Sequence, residues 1–134
     1  MHGHLHHVGF VVRSIEEIAD EFSRSLAGAW DGQIILDPLQ GTRVSFFRGP
    51  IANDALVELV EPIEQGSPVS KFLERGGGLH HLCYEVADLE AQLQYSRSTG
   101  SLVVRKPLPA AAFGGRRIAW VYTKAKLLLE YLET

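Results

Sequence analysis

The sequence predicts an α+β domain in which two tandem βαβββ modules form a curved, mixed-sheet cleft. The first observation behind this prediction is an internal repeat, because Leu5-His6-His7-Val8 returns later as Leu79-His80-His81-Leu82. The second is that both copies end alike, with Val57–Glu61 in one and Leu129–Glu133 in the other. The third is length: 134 residues suffice for one domain with its own core. We therefore expect a single domain over 1–134.

The first module is predicted over about 5–62. Leu5–Val12 is rich in β-branched and apolar residues, which is typical of a strand. Ser14 followed by Glu17 has the form of a capping box and predicts the start of a helix, which Gly28 would end. Turn residues then separate three predicted strands, at Trp30–Leu36, Arg43–Arg48 and Ala55–Glu61.

A connector is predicted over 63–78 and the second module over 79–134. Ser67-Pro68 predicts a short helix that runs through Arg75. In the second module a strand at Leu79–Val86 leads to a helix capped by Asp88 and ended by Gly100. Three further strands are predicted, at Ser101–Arg105, Arg116–Tyr122 and Leu127–Glu133. We expect the helices outside two curved sheets, with a ligand in the cleft between the halves.

Composition excludes several classes of function. The formal net charge of −3 gives no reason to expect nucleic acid or an anionic membrane surface as a partner. No apolar run approaches the length of a membrane span, and histidines interrupt the N-terminus where a signal peptide would be apolar. The single cysteine, Cys83, is compatible with a reducing compartment. These features predict a cytoplasmic protein.

The repeated histidine and glutamate positions predict a metal site. Side chains alternate across a strand, so His7 shares a face with Gly9 and Val11, while His6 points the other way. His81 likewise shares a face with Cys83 and Glu85. Glu58 and Glu130 lie on the equivalent inward faces of the closing strands. Histidines in strands are ordinarily packing residues and glutamates ordinarily face solvent. Because both positions are duplicated, we favour the hypothesis that these two histidines and two glutamates converge on a divalent first-row ion or zinc.

Three other residues have less specific interpretations. His2 and His4 resemble a flexible tail. Cys83 is more often a small core residue than a reactive thiol, although it would point into the predicted cleft and a contact role stays open.

Five short motifs in order resemble the vicinal oxygen chelate (glyoxalase/bleomycin resistance/dioxygenase) superfamily over essentially the whole chain. The branch that they resemble most is methylmalonyl-CoA epimerase. The motifs are His7-Val8-Gly9, Glu58-Leu59-Val60-Glu61-Pro62, Ser67-Pro68-Val69-Ser70-Lys71-Phe72, Leu79-His80-His81-Leu82 and Gly114-Gly115-Arg116-Arg117-Ile118-Ala119-Trp120.

This resemblance implies a glyoxalase-like fold and a metal-dependent enzyme that moves the proton α to a carbonyl. The implied ligands of one divalent ion (Co, Ni, Zn, Mn or Mg) are His7, Glu58, His81 and Glu130, and Glu130 would also be the base. The implied substrate is a small molecule, possibly an acyl-CoA. The basic residues Arg116, Arg117 and Lys124 would meet its phosphates, unless they belong to a solvated hairpin. Relatives of this kind form homodimers.

Two departures from the epimerase pattern bear on the reaction. Epimerases share a segment that begins with a glutamate, which is thought to be the second acid or base. This chain has Leu39-Gln40-Gly41 at that place, with leucine instead of the glutamate. Tyr122-Thr123-Lys124 stands where the family has His-Pro-Lys. The alternatives are a lactoylglutathione lyase-like enzyme and a non-catalytic small-molecule binding or resistance protein.

Overall fold

The protein folds into one continuous mixed sheet of nine strands, which three α-helices flank. The structure is a computed structural model that describes residues 3–134. The strands are β1 (His4–Val11), β2 (Ala29–Trp30), β3 (Ile35–Asp37), β4 (Thr42–Arg48), β5 (Leu56–Pro62), β6 (Gly78–Val86), β7 (Leu102–Pro109), β8 (Arg117–Tyr122) and β9 (Leu128–Glu133). The helices are α1 (Ile15–Ser25), α2 (Ser70–Glu74) and α3 (Leu89–Ser98), and a 3₁₀ turn occupies Ala111–Phe113.

The two halves of the chain meet in the middle of this sheet. The strand order is β2-β4-β5-β1-β6-β9-β8-β7, with β3 also paired to β4. β1 and β6 pair antiparallel, whereas β1 with β5 and β6 with β9 are parallel pairs. The predicted α+β class and tandem βαβββ modules are therefore confirmed. The expectation of two sheets is wrong, because the first strand of each module pairs with the other and joins both halves into one sheet.

Local capping follows the predicted signals at both long helices. The Ser14 hydroxyl accepts a hydrogen bond from the Glu17 N–H at 3.3 Å, and the Asp88 carboxylate accepts one from the Ala91 N–H at 3.0 Å. These side chains satisfy N–H groups that the first turn of a helix leaves free. α1 and α3 therefore begin where the sequence predicts.

Three other segments differ from the prediction. The single strand predicted at Trp30–Leu36 is two short strands, β2 and β3, interrupted around Gly32, whose φ of 74° lies in the left-handed region. The connector helix begins at Ser70, and the Ser67 hydroxyl instead donates to the Gly41 carbonyl at 2.7 Å. β7 continues to Pro109 because it lies at the edge of the sheet, where a proline needs no partner for its nitrogen.

The N-terminal prediction also changes. His4 opens β1 and pairs with Glu85 of β6, so the expectation that it belongs to a flexible tail is wrong. His2 lies outside the described residues. Within the part of the chain that the structure describes, no helix is long and apolar enough to cross a membrane.

The two faces of the sheet have different contents. The outer face carries α1 and α3: Ile15 and Ala19 of α1 pack with Phe47 and Leu59, and Leu89 and Leu93 of α3 pack on Ala119 and Val121. The inner face presents Val44, Phe46 and Val60 beside the centre of the cleft, and Val69 of the connector packs with them. The strands β1, β5, β6 and β9 thus direct His7, Glu58, His81 and Glu130 to the same side of the sheet.

Candidate metal centre

Four side chains from the four central strands meet at one point on the inner face. Nε2 of His7 lies 3.3 Å from Oε1 of Glu58 and 3.0 Å from Oε1 of Glu130. Nε2 of His81 lies 3.2 Å and 3.7 Å from the same two oxygens. The two imidazole nitrogens are 3.1 Å apart. The structure therefore brings together all four residues that the sequence predicts as ligands.

These four groups are almost completely removed from solvent. The exposed fraction is 0% for His7, 5% for Glu58, and 4% for both His81 and Glu130. A buried carboxylate costs several kcal/mol unless it is paired or coordinates a metal. Two carboxylates and two histidines are therefore held at this point against a substantial desolvation penalty.

The donor set fits a divalent metal ion. Oε1 of Glu130 is buried and, among the side chains described, is the one buried polar atom without a hydrogen bond, although a His7 nitrogen is close. Two nitrogens bound to one ion at 2.0–2.1 Å lie about 2.8–3.4 Å apart, from cis octahedral to tetrahedral angles, and the 3.1 Å between the histidines falls within that range. Two imidazoles with two carboxylates suit a first-row divalent ion or zinc.

The charges within the cluster are mutually compensating. Burial alone would lower the pKa of His7, but the Glu58 charge together with hydrogen bonds to Cys83, Glu130 and Glu58 raises that pKa well above its ordinary value. Burial alone would raise the pKa of Glu58, but the charges and hydrogen bonds of His7 and His81 together lower it well below its usual range. Glu58 is thus ionised at neutral pH, and a carboxylate in that state can coordinate a cation.

Gly9 makes room for one of the histidines. It pairs with His81 across the sheet, and a Cβ at Gly9 would lie 2.1 Å from Cε1 of that ring. The equivalent position in the second half is Cys83, which pairs with His7. Cys83 is fully buried, and burial raises the pKa of its thiol, so it is a protonated packing residue beside the site.

The first histidine of each pair also contacts the site, which the strand alternation did not predict for His6. Nδ1 of His6 lies 2.8 Å from Nδ1 of His7, and Nδ1 of His80 lies 2.9 Å from Nδ1 of His81. Burial lowers the pKa of His6, and it lowers that of His80 to about 4. The prediction that His6 points away from the site is therefore wrong, because β1 carries a bulge at that residue.

A cavity of about 200 Å³ opens above the cluster and is reached by Glu58, His81 and Glu130. Its wall is mainly apolar. The polar and aromatic members of the wall are Asp37, Gln40, Thr42, His80, Arg105, Phe113 and Trp120. This volume suits the reactive part of a substrate rather than a large cofactor.

The predicted phosphate-binding residues lie elsewhere on the surface. Arg116 donates to a Glu85 carboxylate oxygen at 2.8 Å, and Arg117 pairs with Glu133 at 2.7 Å and with Glu90 at 2.8 Å. Lys124 packs its side chain against Gly100, at the end of α3. The structure does not bring these three residues to the cavity wall.

Sequence reasoning missed two residues of the wall. Arg105 is the one Lys or Arg residue among the described residues that line the cavity, and its guanidinium donates to the Leu39 carbonyl at 3.5 Å. Asp37 accepts hydrogen bonds from the Gln40 N–H at 3.2 Å and the Ala111 N–H at 2.8 Å. Asp37 therefore ties the first half to the 3₁₀ turn of the second. Neither residue lies in a repeat, which is why the duplication gave no signal for them.

Leu39 occupies a solvent-facing turn beside the cavity. It is 57% exposed and does not line the wall, whereas the neighbouring Gln40 is buried and does. Among the described residues, the carboxylates of the wall are thus Asp37, Glu58 and Glu130.

Comparison with known proteins agrees with this architecture. The pattern of the glyoxalase/bleomycin resistance protein/dioxygenase superfamily matches residues 6–120. The chain is 32% identical over 126 residues to the ethylmalonyl-CoA/methylmalonyl-CoA epimerase of Cereibacter sphaeroides, covering 92% of this chain and 91% of the relative. The crystal structure of methylmalonyl-CoA epimerase from Mycobacterium tuberculosis superposes with a TM-score of 0.82 at 27% identity, covering 97% and 87% of the two chains.

A third similarity concerns the fold alone. A variant of the Streptomyces coelicolor methylmalonyl-CoA epimerase, solved with 2-nitronate-propionyl-CoA, has a TM-score of 0.80 at 21% identity, and the match covers 98% and 96% of the chains. With the superfamily pattern spanning most of the sequence and the epimerase relative spanning nearly all of it, the chain belongs to the glyoxalase/bleomycin resistance protein/dioxygenase superfamily.

Proposed function

We propose that this protein is a divalent-metal-dependent enzyme that moves the α proton of a short acyl thioester, in the manner of methylmalonyl-CoA epimerase. The observation that carries the proposal is the convergence of His7, Glu58, His81 and Glu130 beneath a small apolar cavity, with Oε1 of Glu130 lacking a hydrogen bond. The names of the relatives supply the acyl-CoA class.

In this proposal the metal would be held by His7, Glu58, His81 and Glu130. When bound, a divalent ion supplies Lewis acidity that polarises the carbonyl oxygens of a substrate and makes the α C–H more acidic. The apolar wall excludes water from the reacting carbon, which strengthens every charge interaction within the cavity.

Glu130 is the proposed base. Its carboxylate faces the cavity from β9, and one of its oxygens is not engaged in a hydrogen bond. A carboxylate at this edge can take the α proton and return it, and general base catalysis typically contributes about 10²–10⁴ in rate. Because Leu39 cannot carry a proton, we propose that exchange of the α proton occurs mainly on one face and is faster than inversion.

Arg105 is proposed to receive an anionic group of the substrate. It lines the cavity, so it could meet a carboxylate or phosphate that extends beyond the acyl group. Among residues 3–134, Arg105 has no salt-bridge partner that would compete with such a group. Phosphate binding by Arg116, Arg117 and Lys124 stays a prediction, although Glu85, Glu90 and Glu133 compete for the two arginines. Homodimer formation also stays a prediction, which sedimentation would measure.

The test is deuterium incorporation at the α carbon of methylmalonyl-CoA in D₂O, with protein that is metal-free or loaded with cobalt. We expect exchange with the loaded protein, and a loss of at least about 100-fold in Glu130→Gln, since that change removes the base. Glu133→Gln is the matched control, because Glu133 lies on the same strand and pairs with Arg117 instead. The chirality of the product, followed in parallel, measures inversion.

Each result has a definite meaning. Cobalt-loaded protein that gives no exchange above buffer contradicts the proposal, and tight binding of an unrelated small molecule by such a protein would favour a sequestration function. Inversion as fast as exchange would contradict the one-face assignment and leave the metal assignment standing.

A further inference from the structure

Resting on the proposed metal site, we infer that His6 and His80 are positioning residues that orient His7 and His81 for metal binding through paired Nδ1 atoms. Neither outer histidine reaches the ligand cluster with its own Nε2. Each acts through the ligand histidine that follows it in the chain.

The geometry is the same in both halves. The Nδ1–Nδ1 distances are 2.8 Å for His6 and His7 and 2.9 Å for His80 and His81, both within hydrogen-bond range. The ring planes meet at 80° and 90°, respectively. Two independent occurrences of one contact, 74 residues apart, argue against a coincidence of packing.

A β-bulge at each outer histidine produces this contact. Leu5 pairs with Tyr84 and His7 with Cys83, which leaves His6 without a partner on β6. On the same ladder Gly9 pairs with His81 and Phe10 with Leu79, which leaves His80 without a partner on β1.

Bulges of this kind redirect a side chain that strict alternation would send to the opposite face. The two bulges lie at equivalent places of the two modules, which is why both adjacent histidine pairs can approach through Nδ1.

The chemistry of imidazole explains the need for a partner. A histidine that coordinates through Nε2 is neutral and carries its proton on Nδ1, so that N–H must donate to an acceptor. The unprotonated Nδ1 of the outer histidine is such an acceptor. A partner on the second nitrogen fixes both the tautomer and the ring orientation of a metal ligand.

Packing holds the outer rings in place. His6 stands edge-to-face on Phe113 at 5.2 Å between centroids, and His80 does so on Phe72 at 4.8 Å. Trp120 lies on the other side of the second pair, 4.7 Å from His81. A neutral acceptor also keeps the cluster balanced, because Glu58 and Glu130 already supply two negative charges for one divalent ion.

The test measures zinc affinity by competition with a chromophoric chelator, together with ¹⁵N chemical shifts of the histidine rings. We expect His6→Leu and His80→Leu each to weaken zinc binding by about 10- to 100-fold. His6→Asn, whose amide oxygen can accept the same hydrogen bond, should recover most of that loss. His4→Leu is the matched control, since His4 is an exposed residue of the same strand.

The zinc-loaded wild-type protein provides a readout that does not depend on the variants folding. There we expect His7 and His81 to carry Nδ1–H and the outer pair to carry Nε2–H. Outer rings with Nδ1–H, or leucine variants that keep wild-type zinc affinity, would overturn the inference alone. A wild-type protein that binds no zinc or cobalt would overturn the proposed function, and this inference with it.

Discussion

The two halves of the molecule are nearly identical at the centre of the sheet and differ at its margins. Each half contributes a bulged histidine pair and one inward glutamate at matching places. On the outer face, however, α1 covers an aromatic core around Phe47, whereas α3 leaves a groove lined by Tyr84, Tyr95 and Tyr131. The contrast indicates that the duplicated residues are the four proposed metal ligands, whereas the packing behind them differs between the halves.

The cleft walls differ between the halves as well. The first half contributes the turn with Leu39 and Gln40, and the second contributes Arg105 and the 3₁₀ turn that Asp37 holds. The cavity therefore has two unlike walls above a floor of four residues from equivalent positions. If the proposed function holds, the symmetric floor would bind the metal and the unlike walls would select the substrate.

The largest expected effect comes from the outer packing of the first half. Phe47 is 2% exposed beneath α1, so Phe47→Ala should lower the free energy of unfolding by about 3–5 kcal/mol through cavity formation. Tyr95→Ala on α3, where the side chain is 50% exposed, should cost far less. Urea unfolding of both variants measures the contrast, and equal losses would show that the two helices are packed alike.

Much of this arrangement could be predicted from sequence, for a physical reason. Strand alternation and a duplicated pattern predict that Glu58 and Glu130 face the cleft, and they do so without knowledge of the loops. The bulge at His6 could not be predicted, because it depends on the register between β1 and β6.

The same limit applies to Asp37 and Arg105. Each acts through a contact with a backbone group far along the chain, at Ala111 and Leu39, respectively. Periodicity carries no information about such contacts.

The next effect concerns Gly9 and Cys83, the equivalent residues that pair across the sheet with His81 and His7, respectively. Gly9→Ala would place a methyl group 2.1 Å from the His81 ring as it now stands, so the ring must move. We expect a loss of about 1–3 kcal/mol in stability and a marked loss of metal affinity.

Cys83→Ala at the equivalent place is the control, since it enlarges rather than fills the space beside His7. Calorimetry and metal titration should separate the two variants. Unchanged metal affinity in Gly9→Ala would contradict the close approach.

A smaller effect is expected at the link between the halves. Asp37→Asn leaves one of the two backbone N–H groups without its carboxylate acceptor, which should cost about 1–2 kcal/mol. The rate of amide hydrogen exchange at Ala111 should also increase in Asp37→Asn. Asp31→Asn, at an exposed turn, is the control, and faster exchange in that variant would argue against a specific link.

The smallest effect is a pH dependence at the surface of the second half. The hydrogen bond from Arg116 lowers the pKa of Glu85, so the stabilisation exists above the ordinary carboxyl pKa and is lost as pH falls through the lowered value. Glu85→Gln should therefore be less stable than wild type at pH 7, by well under about 1 kcal/mol for a solvent-screened pair. Thermal melts of both proteins at pH 7 and pH 3 test this. A difference in melting temperature between wild type and Glu85→Gln that is larger at pH 3 than at pH 7 would contradict the prediction.

The central claim is that one ion is bound by His7, Glu58, His81 and Glu130 of this chain. A crystal grown with cobalt, measured on both sides of the cobalt absorption edge, tests it most directly. We expect a single anomalous peak within coordination distance of Nε2 of both histidines and of an oxygen of each glutamate. An empty cluster, or a cobalt ion bound elsewhere, would contradict the account.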